Sequence, residues 1–458
     1  MIPLPTTSQL LDRVRVNGFI VRMWALCMLV SLIDGFDLTL ISFVAPSVKA
    51  EMGLGDGQLG MIFAASLVGM AVGGPIFGAL GDRFGRKPMI IASCCLMGLS
   101  TLVIPVVEGA NGFMACRFVT GLGLSGAVPS ILALGAEFSP VRLRGRVLAL
   151  MGVGVPVGAA IPGLLTAVIL PLWGWRALVV IGGLLPLILA IAIMIWLAES
   201  PRFLLLRSKT QAHARRILSR IDPAFATASL DDAIATGSTS LSILPSPLFR
   251  RSEGLHVITP LLWALFFIVV LVNFEINNWL PSILSRRGLT IGDAGLASAM
   301  WSLGGVIGGI IVTGLLTRRG LGLLIAIFVI AIPATILIAR ADGLVWICAC
   351  VALSGSCIGA LQIGLNASAS LMYDTSMRVK GVGWALSVGR LGGMCGPLLA
   401  GLALSRGISP AQIFNFSGAV LAIGLLLSLA LARIWFARHR SMRIEQPESA
   451  LLASTPAG

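Results

Sequence analysis

The chain has 458 residues, of which 57% are apolar and 11% are charged, and its mean hydropathy is +0.97. This composition excludes a soluble globular protein and predicts many transmembrane helices. A formal net charge of +14 would suggest nucleic-acid binding in a soluble protein. In a membrane protein basic residues concentrate in cytoplasmic loops, so we expect no nucleic-acid partner.

Twelve apolar segments follow one another along the chain. Each is predicted to be a membrane-spanning helix, because a backbone in lipid must satisfy its own hydrogen bonds. The first is too long for a signal-peptide core, so we expect it to remain as an uncleaved span. The segments lie at approximately 23–46, 57–80, 89–107, 111–137, 147–170, 174–197, 256–283, 291–316, 321–340, 344–371, 382–404 and 410–436.

These segments form two groups of six, and the fold class that follows is an all-α membrane protein with 12 transmembrane helices. A polar connector at 198–255 joins the groups. Within it, residues 203–221 mix basic and apolar positions and indicate an amphipathic helix on the inner membrane surface, whereas residues 222–247 have linker composition. The predicted organisation is a cytoplasmic N-terminal segment, an N-terminal bundle, the connector, a C-terminal bundle and a cytoplasmic tail, at 1–22, 23–197, 198–255, 256–436 and 437–458.

The distribution of basic residues predicts the orientation of the chain in the membrane. Most of the 33 Lys and Arg residues fall in segments on the same side as the N-terminus. The loops on the opposite side hold only Lys49, Arg286, Arg287, Arg340 and Arg406. By the positive-inside rule, both termini are expected in the cytoplasm.

Two short matches indicate an internal repeat. The sequence VRLRGR at 141–146 aligns with MRVKGV at 377–382, and the same spacing places GALGDR at 78–83 over GLLTRR at 314–319. One spacing that serves two separate loops predicts two six-helix pseudo-repeats. Parallel repeats with a binding site near the membrane midplane are the architecture of the major facilitator superfamily.

The loop after the second segment, GALGDRFGRKP at 78–88, resembles the signature loop of the major facilitator superfamily. Asp82 could lie at the positive N-terminal end of a helix in the other half, near Gly381, and pair with Arg142 or Arg144. Such a contact would act as a gate if it formed in one access state only; alternatively, the basic residues only set topology. The residues assigned to this gate are Asp82, Arg83, Arg86, Glu137, Arg142 and Arg144.

A narrower resemblance begins with DGFD at 34–37 and APS at 45–47. Together with RFVTGLG at 117–123, NWLP at 278–281 and GVGWALSVGR at 381–390, these segments resemble the aromatic acid:proton symporter family over nearly the whole chain. The resemblance implies proton-coupled transport of an aromatic carboxylate such as a hydroxybenzoate. Glu275 in the seventh segment is not expected in a simple benzoate-type pocket, so the particular substrate stays open.

Two carboxylates and one guanidinium lie inside the spans of the first half. Asp34 and Asp37 are three residues apart and share one helix face. Acids at bilayer depth are costly and usually face a cavity, so we expect both to take part in proton coupling. Arg117 lies within about 5 Å of the depth of Asp37 at 1.5 Å per residue. The two could form a proton-sensitive pair or a static ion pair that holds two helices together.

Candidate substrate contacts come mainly from the second half. Arg390 suits a carboxylate of the substrate or of the protein, and Glu275 is the obvious protein partner. Gln362 and Asn366 share a helix face and could hydrogen-bond the substrate or only join helices. The full set assigned to substrate binding is Arg117, Arg390, Gln362, Asn366, Glu275 and Trp279.

The favoured hypothesis is a monomeric symporter in the inner (plasma) membrane that imports an aromatic carboxylate together with protons. The alternatives are a major facilitator transporter of a sugar, a non-aromatic organic acid or a drug, and a non-transporting receptor. No enzyme activity, cofactor or metal is expected, because no metal-ligand cluster and no nucleophile–base pair stands out. The eight cysteines lie in apolar segments and are interpreted as packing residues.

Overall fold

The computed structural model describes residues 16–206, 210–221, 246–249, 255–374 and 377–452. Every regular element among them is a helix. Three predictions fall partly outside the described residues: the start of the N-terminal segment at 1–15, the linker at 222–245 and the end of the tail at 453–458. The described part of the tail is helical, because the last helix continues to Leu452.

The helices follow one another in the order expected from the apolar segments. Those of the first half are α1 (Gly18–Met52), α2 (Asp56–Phe84), α3 (Arg86–Val103), α4 (Gly109–Glu137) and α5 (Val141–Trp196). Two short connector helices follow, α6 (Pro201–Leu205) and α7 (Gln211–Ile221). Those of the second half are α8 (Leu255–Arg286), α9 (Ile291–Arg319), α10 (Gly322–Ile338), α11 (Leu344–Met372), α12 (Arg378–Ser405) and α13 (Pro410–Leu452).

Ten helices among the described residues are long and apolar enough to cross a membrane. Two features decide how this number relates to twelve predicted spans. Helix α5 has 56 residues and is broken at Gly174, whose φ of 72° and ψ of 177° are not helical. Helix α10 is apolar but has only 17 residues, about 25 Å at 1.5 Å per residue. Twelve spans therefore require that α5 be counted twice and that α10 be included.

The two halves pack their helices in the same pattern. In the first half α1 packs on α5 and α2 packs on α4; in the second half α8 packs on α12 and α9 packs on α11. Glycines allow these close approaches: Gly35 of α1 lies directly against the Val155 carbonyl of α5, and Gly392 of α12 against the Phe267 carbonyl of α8. A side chain at either glycine would overlap backbone atoms, so the helix pairs are set by backbone contact.

The connector helix α7 packs its apolar face against the protein. Its apolar residues Ala214, Ile217 and Leu218 are buried in a cluster that includes Ile20 of α1. The side chain of Asn17 accepts a hydrogen bond from the Ile20 backbone N–H at 3.0 Å and donates to the Arg220 carbonyl at 2.8 Å. The predicted amphipathic helix is thus α6 and α7, with residues 207–209 outside the described part, and its apolar face covers α1.

Candidate functional site

Asp37 and Arg117 form an ion pair in the interior of the first half. Asp37 of α1 is 0% exposed and Arg117 of α4 is 2% exposed. The Arg117 Nη1 atom donates to Asp37 Oδ2 at 3.3 Å, and Thr101 of α3 donates its hydroxyl proton to Asp37 Oδ1 at 2.9 Å. Three helices therefore meet at one carboxylate, and the charge of Arg117 is balanced where it is shielded from water.

Asp34 lies one turn earlier on α1 and lacks the ion-pair partner that Asp37 has. Its side chain is buried, and its Oδ1 atom has no hydrogen-bond partner among the described residues. No cation lies within ion-pair distance of it in that part of the chain. A carboxyl group in such surroundings is stable in its neutral form, because an unpaired buried charge is strongly unfavourable.

Arg390 reaches from the second half toward the first. Its side chain is exposed, and its Nη1 atom lies 3.2 Å from the position that a Cβ atom on Gly74 of α2 would occupy. Among the described residues it has no ion-pair partner. An accessible, unpaired guanidinium between the two halves can bind the carboxylate of a ligand by donating hydrogen bonds to it.

The alternative that Arg390 pairs with Glu275 is wrong in this structure. An ideal Cβ atom on Gly389 of α12 would lie 3.6 Å from the Phe266 carbonyl oxygen of α8. Gly396, seven residues later on α12, faces Glu275 itself. Arg390 lies six residues before Gly396 on α12, about 9 Å along the axis from the level of Glu275. The two side chains lie at different depths.

Trp279 was predicted to contact substrate, but it is fully buried between the halves. Its Nε1–H donates to the Pro397 carbonyl at 3.0 Å, and its ring meets Phe63 of α2 edge-on, with 5.5 Å between ring centroids. Next to this contact Gly60 of α2 lies against Pro397 and Gly401 of α12. We call the contact formed by Gly60, Phe63, Trp279, Pro397 and Gly401 the seam.

Glu275, the other buried candidate for substrate binding, lies within the second half in this conformation. It is 1% exposed, it faces Gly396 of α12, and its Oε2 atom lies 3.0 Å from the hydroxyl oxygen of Ser417 on α13. The carboxyl group therefore points into the interior of the second half rather than toward the first half.

Gln362 and Asn366 are half-buried on α11, and the described residues provide no hydrogen-bond partner for either side-chain amide. They continue the helix stripe of Gly355 and Gly359, which packs on Trp301 and Gly305 of α9. Both sequence-based alternatives, substrate contact and helix contact, stay open for these two residues.

The loop between α2 and α3 defines what we call the Asp82 end of the molecule. The Asp82 side chain is 73% exposed and accepts a hydrogen bond from Arg86 at 2.7 Å. Arg144 donates to the Ala136 carbonyl at 3.1 Å instead of to Asp82. The predicted contact of Asp82 with Arg142, Arg144 and the start of α12 is therefore not formed in this conformation.

Two local features explain this difference. Gly85, with a φ of 106°, turns the chain so that Arg86 comes back beside Asp82. At the start of α12, the ring of Tyr373 lies against Gly381, where Asp82 was expected. The other gate candidate on α2, Arg83, lies over the Phe84 ring at 5.4 Å from its centroid.

Glu137 joins the end of α4 to the segment after α5. Its Oε2 atom accepts a hydrogen bond from the Ser200 hydroxyl at 2.5 Å. The neighbouring Glu199 accepts from the backbone N–H groups of Arg86 at 2.9 Å and Lys87 at 3.2 Å, and so caps α3. The role of Glu199 was missed, although its segment ESPRFL at 199–204 was recognisable in the sequence.

The opposite end, which we call the Asp56 end, holds contacts between the halves that the sequence did not reveal. Asp56 at the start of α2 accepts from Lys49 at 2.6 Å and from Arg286 at the end of α8. The hydroxyl of Ser42 on α1 donates to Asn278 of α8 at 2.8 Å. Together with the seam, these contacts hold the halves together at the Asp56 end.

No three His, Cys, Asp or Glu side chains within the described ranges lie together as metal ligands would. All eight cysteines are free thiols. The polar groups available in the interior are therefore carboxylates, guanidiniums, amides and hydroxyls.

A model of the family described as the Major Facilitator Superfamily matches residues 27–342. The chain belongs to this superfamily. The transporter is 31% identical over 419 residues to the 4-hydroxybenzoate transporter PcaK of Pseudomonas putida, covering 90% of this chain and 91% of that protein. It is 32% identical over 405 residues to the gallate transporter of Pseudomonas putida, with 86% and 87% of the chains covered. It is also 32% identical over 414 residues to the 3-(3-hydroxy-phenyl)propionate transporter of Escherichia coli, with 89% and 93% covered.

Solved structures of other transporters share the fold at lower sequence identity. A bacterial homologue of the human lysosomal transporter Spinster, in an inward-facing and occupied conformation, aligns with a TM-score of 0.71 at 16% identity. The alignment covers 92% of this transporter and 98% of that chain. The xylose transporter XylE of Escherichia coli aligns with a TM-score of 0.68 at 16% identity, covering 90% and 98%.

Proposed function

We propose that the transporter imports an aromatic carboxylate together with protons by alternating access. The observation that carries the proposal is the buried contact of Asp37 with Arg117, beside the unpaired Asp34 on the same helix. A proton on Asp37 cancels its charge and weakens the ion pair, so the contact responds to proton binding. Proton coupling needs such a group at membrane depth.

The substrate class is inferred from the relatives and from the free guanidinium of Arg390. The relatives are named for 4-hydroxybenzoate, gallate and 3-(3-hydroxy-phenyl)propionate, and each of these molecules combines an aromatic ring with a carboxylate. Arg390 offers bidentate donors for that carboxylate. Gln362 and Asn366 on α11 could hydrogen-bond the ring hydroxyl groups of the substrate. Arg117 becomes a further anion site once Asp37 is protonated.

We propose twelve spans arranged as two six-helix halves, at 23–197 and 256–436, with both termini in the cytoplasm. The shared packing pattern of the two halves supports the repeat, and the basic residues support the orientation. With this orientation, the Asp56 end faces outward and is closed, and the Asp82 end faces the cytoplasm. The protein works as a monomer in the inner membrane.

In the proposed cycle, Asp37, with Asp34, takes protons from the outside while the Asp56 end is open. The substrate then binds near the midplane, and the halves rock until the seam and the Asp56 contacts form as they do in this structure. Asp82 meets Arg142 or Arg144 and the start of α12 only in the opposite, outward-facing conformation. This explains why Asp82 is exposed in the present one.

The proposal is tested with purified transporter in liposomes under an imposed inward proton gradient. Labelled 4-hydroxybenzoate should accumulate, and unlabelled benzoates should compete, whereas hexoses and aliphatic acids should not. Asp34→Asn and Asp37→Asn should each abolish gradient-driven accumulation. Competition by hexoses, or full gradient-driven uptake in both variants, would refute the substrate class or the proton site, respectively.

A further inference from the structure

Glu275 is a buried acid that the proposed transport cycle does not use. It lies on α8 between α12 and α13 and is 1% exposed. Among the described residues no cation lies within ion-pair distance of its carboxyl group. Its environment is therefore the opposite of that of Asp37, which touches Arg117.

The hydrogen bonds around Ser417 indicate which form of Glu275 fits this site. The Ser417 hydroxyl oxygen lies 3.0 Å from Glu275 Oε2 and 3.0 Å from the backbone carbonyl oxygen of Ile413. A hydroxyl has one proton, so it can donate to only one of these two oxygens. If Glu275 carries a proton, it donates to the Ser417 oxygen while Ser417 donates to Ile413, and both contacts are hydrogen bonds.

An ionised Glu275 would fit much less well. It would compete with Ile413 for a single hydroxyl donor and would have no cation to balance it at membrane depth. The helices that pack on α8 are α1, α9, α11, α12 and α13, and α2 meets it through Phe63 and Asp56. Their described titratable side chains include Cys27, Asp34, Asp37, Lys49, Glu51, Asp56, Asp293, Cys348, Cys350, Cys357, Arg390, Cys395, Arg406 and Arg433. None of these forms an ion pair or hydrogen bond with Glu275.

Glu275 also lies directly behind the seam. Trp279 follows it by one helical turn, and Gly396, which faces Glu275, is adjacent to Pro397, the acceptor for Trp279 Nε1. The seam and the Glu275 site therefore share α8 and α12, although the carboxyl group itself faces α12 and α13 of its own half. A change in how Glu275 packs between these helices would shift Trp279 and Pro397, the residues that close the Asp56 end.

We propose that Glu275 is a proton-binding residue separate from Asp34 and Asp37, and that the Asp56 end closes only when Glu275 is protonated. The proposal rests on the proposed function in that closure is a step of the transport cycle. The closed conformation then holds a proton at Glu275 that the open conformation can release. At alkaline pH the closed population should fall by about tenfold per pH unit, the slope expected for one linked proton.

Infrared difference spectroscopy of the purified transporter in lipid tests the protonation directly. One carbonyl band of a protonated carboxyl group should be present in the wild type and lost in Glu275→Gln, which has the shape of the protonated acid, while the band of a neutral Asp34 stays. Ser417→Ala should shift this band because the acceptor is lost, and Asp34→Asn and Asp37→Asn should leave it in place. Identical acid-carbonyl bands in wild type and Glu275→Gln would overturn the proposal. This measurement needs no transport, so its failure is distinct from failure of the proposed function.

Substrate exchange across liposomes at equal pH on both sides tests the link to closure. At alkaline pH the logarithm of the exchange rate falls as pH rises. This slope should be shallower by one in Glu275→Gln than in the wild type, because one linked proton is missing. One pH unit into the alkaline limb, the variant should therefore exchange about tenfold faster relative to its own maximum. Equal slopes in both proteins would show that closure does not require the proton on Glu275.

Discussion

In the first half of the molecule the buried acid and base lie in contact, as Asp37 with Arg117. In the second half Arg390 lies about 9 Å along α12 from the level of Glu275. Glu275 is enclosed with a hydroxyl partner, and Arg390 is exposed beside Gly74 of the other half. The halves share a packing pattern but distribute their charges differently.

We propose that this difference gives the two halves different main tasks, with Glu275 as an additional proton site in the second half. A buried ion pair changes its net charge when it binds a proton, so the first half is suited to sense protons. A guanidinium without a protein partner keeps its hydrogen-bonding capacity for a ligand, so the second half is suited to hold an anion. Four substitutions test this difference between the halves, and they are described from the largest expected effect to the smallest.

Asp37→Asn should cause the largest loss, because it leaves Arg117 buried without a counter-charge. We expect the free energy of unfolding in detergent to fall by about 3 kcal/mol, as when one partner of a buried ion pair is removed. Gradient-driven uptake should also be lost. Denaturant unfolding followed by tryptophan fluorescence measures the first effect.

Asp34→Asn is the matched control, since Asp34 has no ion-pair partner among the described residues. It should change stability little while still impairing uptake. The double variant Asp37→Asn with Arg117→Gln should recover most of the lost stability without recovering proton coupling. Equal destabilisation by Asp34→Asn and Asp37→Asn would contradict the contrast between a paired and an unpaired acid.

Arg390→Gln should weaken substrate binding without destabilising the fold. A hydrogen bond to a charged group is worth about 2 kcal/mol, so affinity for an aromatic carboxylate should fall roughly 30-fold. Arg390→Lys should retain part of the affinity, because it keeps the charge but not the bidentate geometry. Titration calorimetry with 4-hydroxybenzoate measures both variants, and unchanged affinity in Arg390→Gln would remove Arg390 from the site.

Trp279→Phe should loosen the seam while leaving an aromatic ring against Phe63. It removes the hydrogen bond to Pro397, worth about 1 kcal/mol, and should shift the population toward the conformer open at the Asp56 end by about fivefold. Hydrogen exchange of peptides from the start of α2, followed by mass spectrometry, should speed up accordingly. Trp346→Phe is the control, since Trp346 is 70% exposed, and equally faster exchange in it would argue against a specific effect of the seam.

Asp56→Asn should have the smallest effect, because Lys49 and Arg286 are each about one-third exposed. Such partly exposed pairs contribute about 0.5–1 kcal/mol and are screened by salt. Hydrogen exchange at the start of α2 should rise a few-fold at low salt and return to wild-type values at high salt. Asp342→Asn, in the exposed pair with Arg287, should change nothing, and a salt-independent effect of Asp56→Asn would contradict the ion-pair explanation.

Depth along the membrane normal could be read from the sequence, and the direction of side chains could not. Counting residues from the helix ends placed Asp37 and Arg117 at similar depths, and the structure brings them into contact. The same count of residues from the helix ends would have placed Glu275 and Arg390 at different depths. The burial of Trp279 could not be predicted for another reason, because which face of α8 turns toward α2 depends on the glycine contacts at Gly60 and Gly401.

Residues that act across long sequence distances were also missed. Thr101 bonds to Asp37, Glu199 caps α3, and Asp56 meets Arg286, all of which depend on how separate helices are arranged. A threonine in an apolar span or an aspartate at a helix start is too common to single out. The contact of Asp82 with the second half depends on the conformation of the transporter, which no local pattern specifies.

The central claim is that uphill movement of an aromatic carboxylate is driven by protons. The most direct measurement is uptake of labelled 4-hydroxybenzoate into energised membrane vesicles, with and without a proton uncoupler. We expect accumulation that collapses when the uncoupler is added. Accumulation that is indifferent to the uncoupler would contradict it, because Asp34 and Asp37 would then have no part in driving transport.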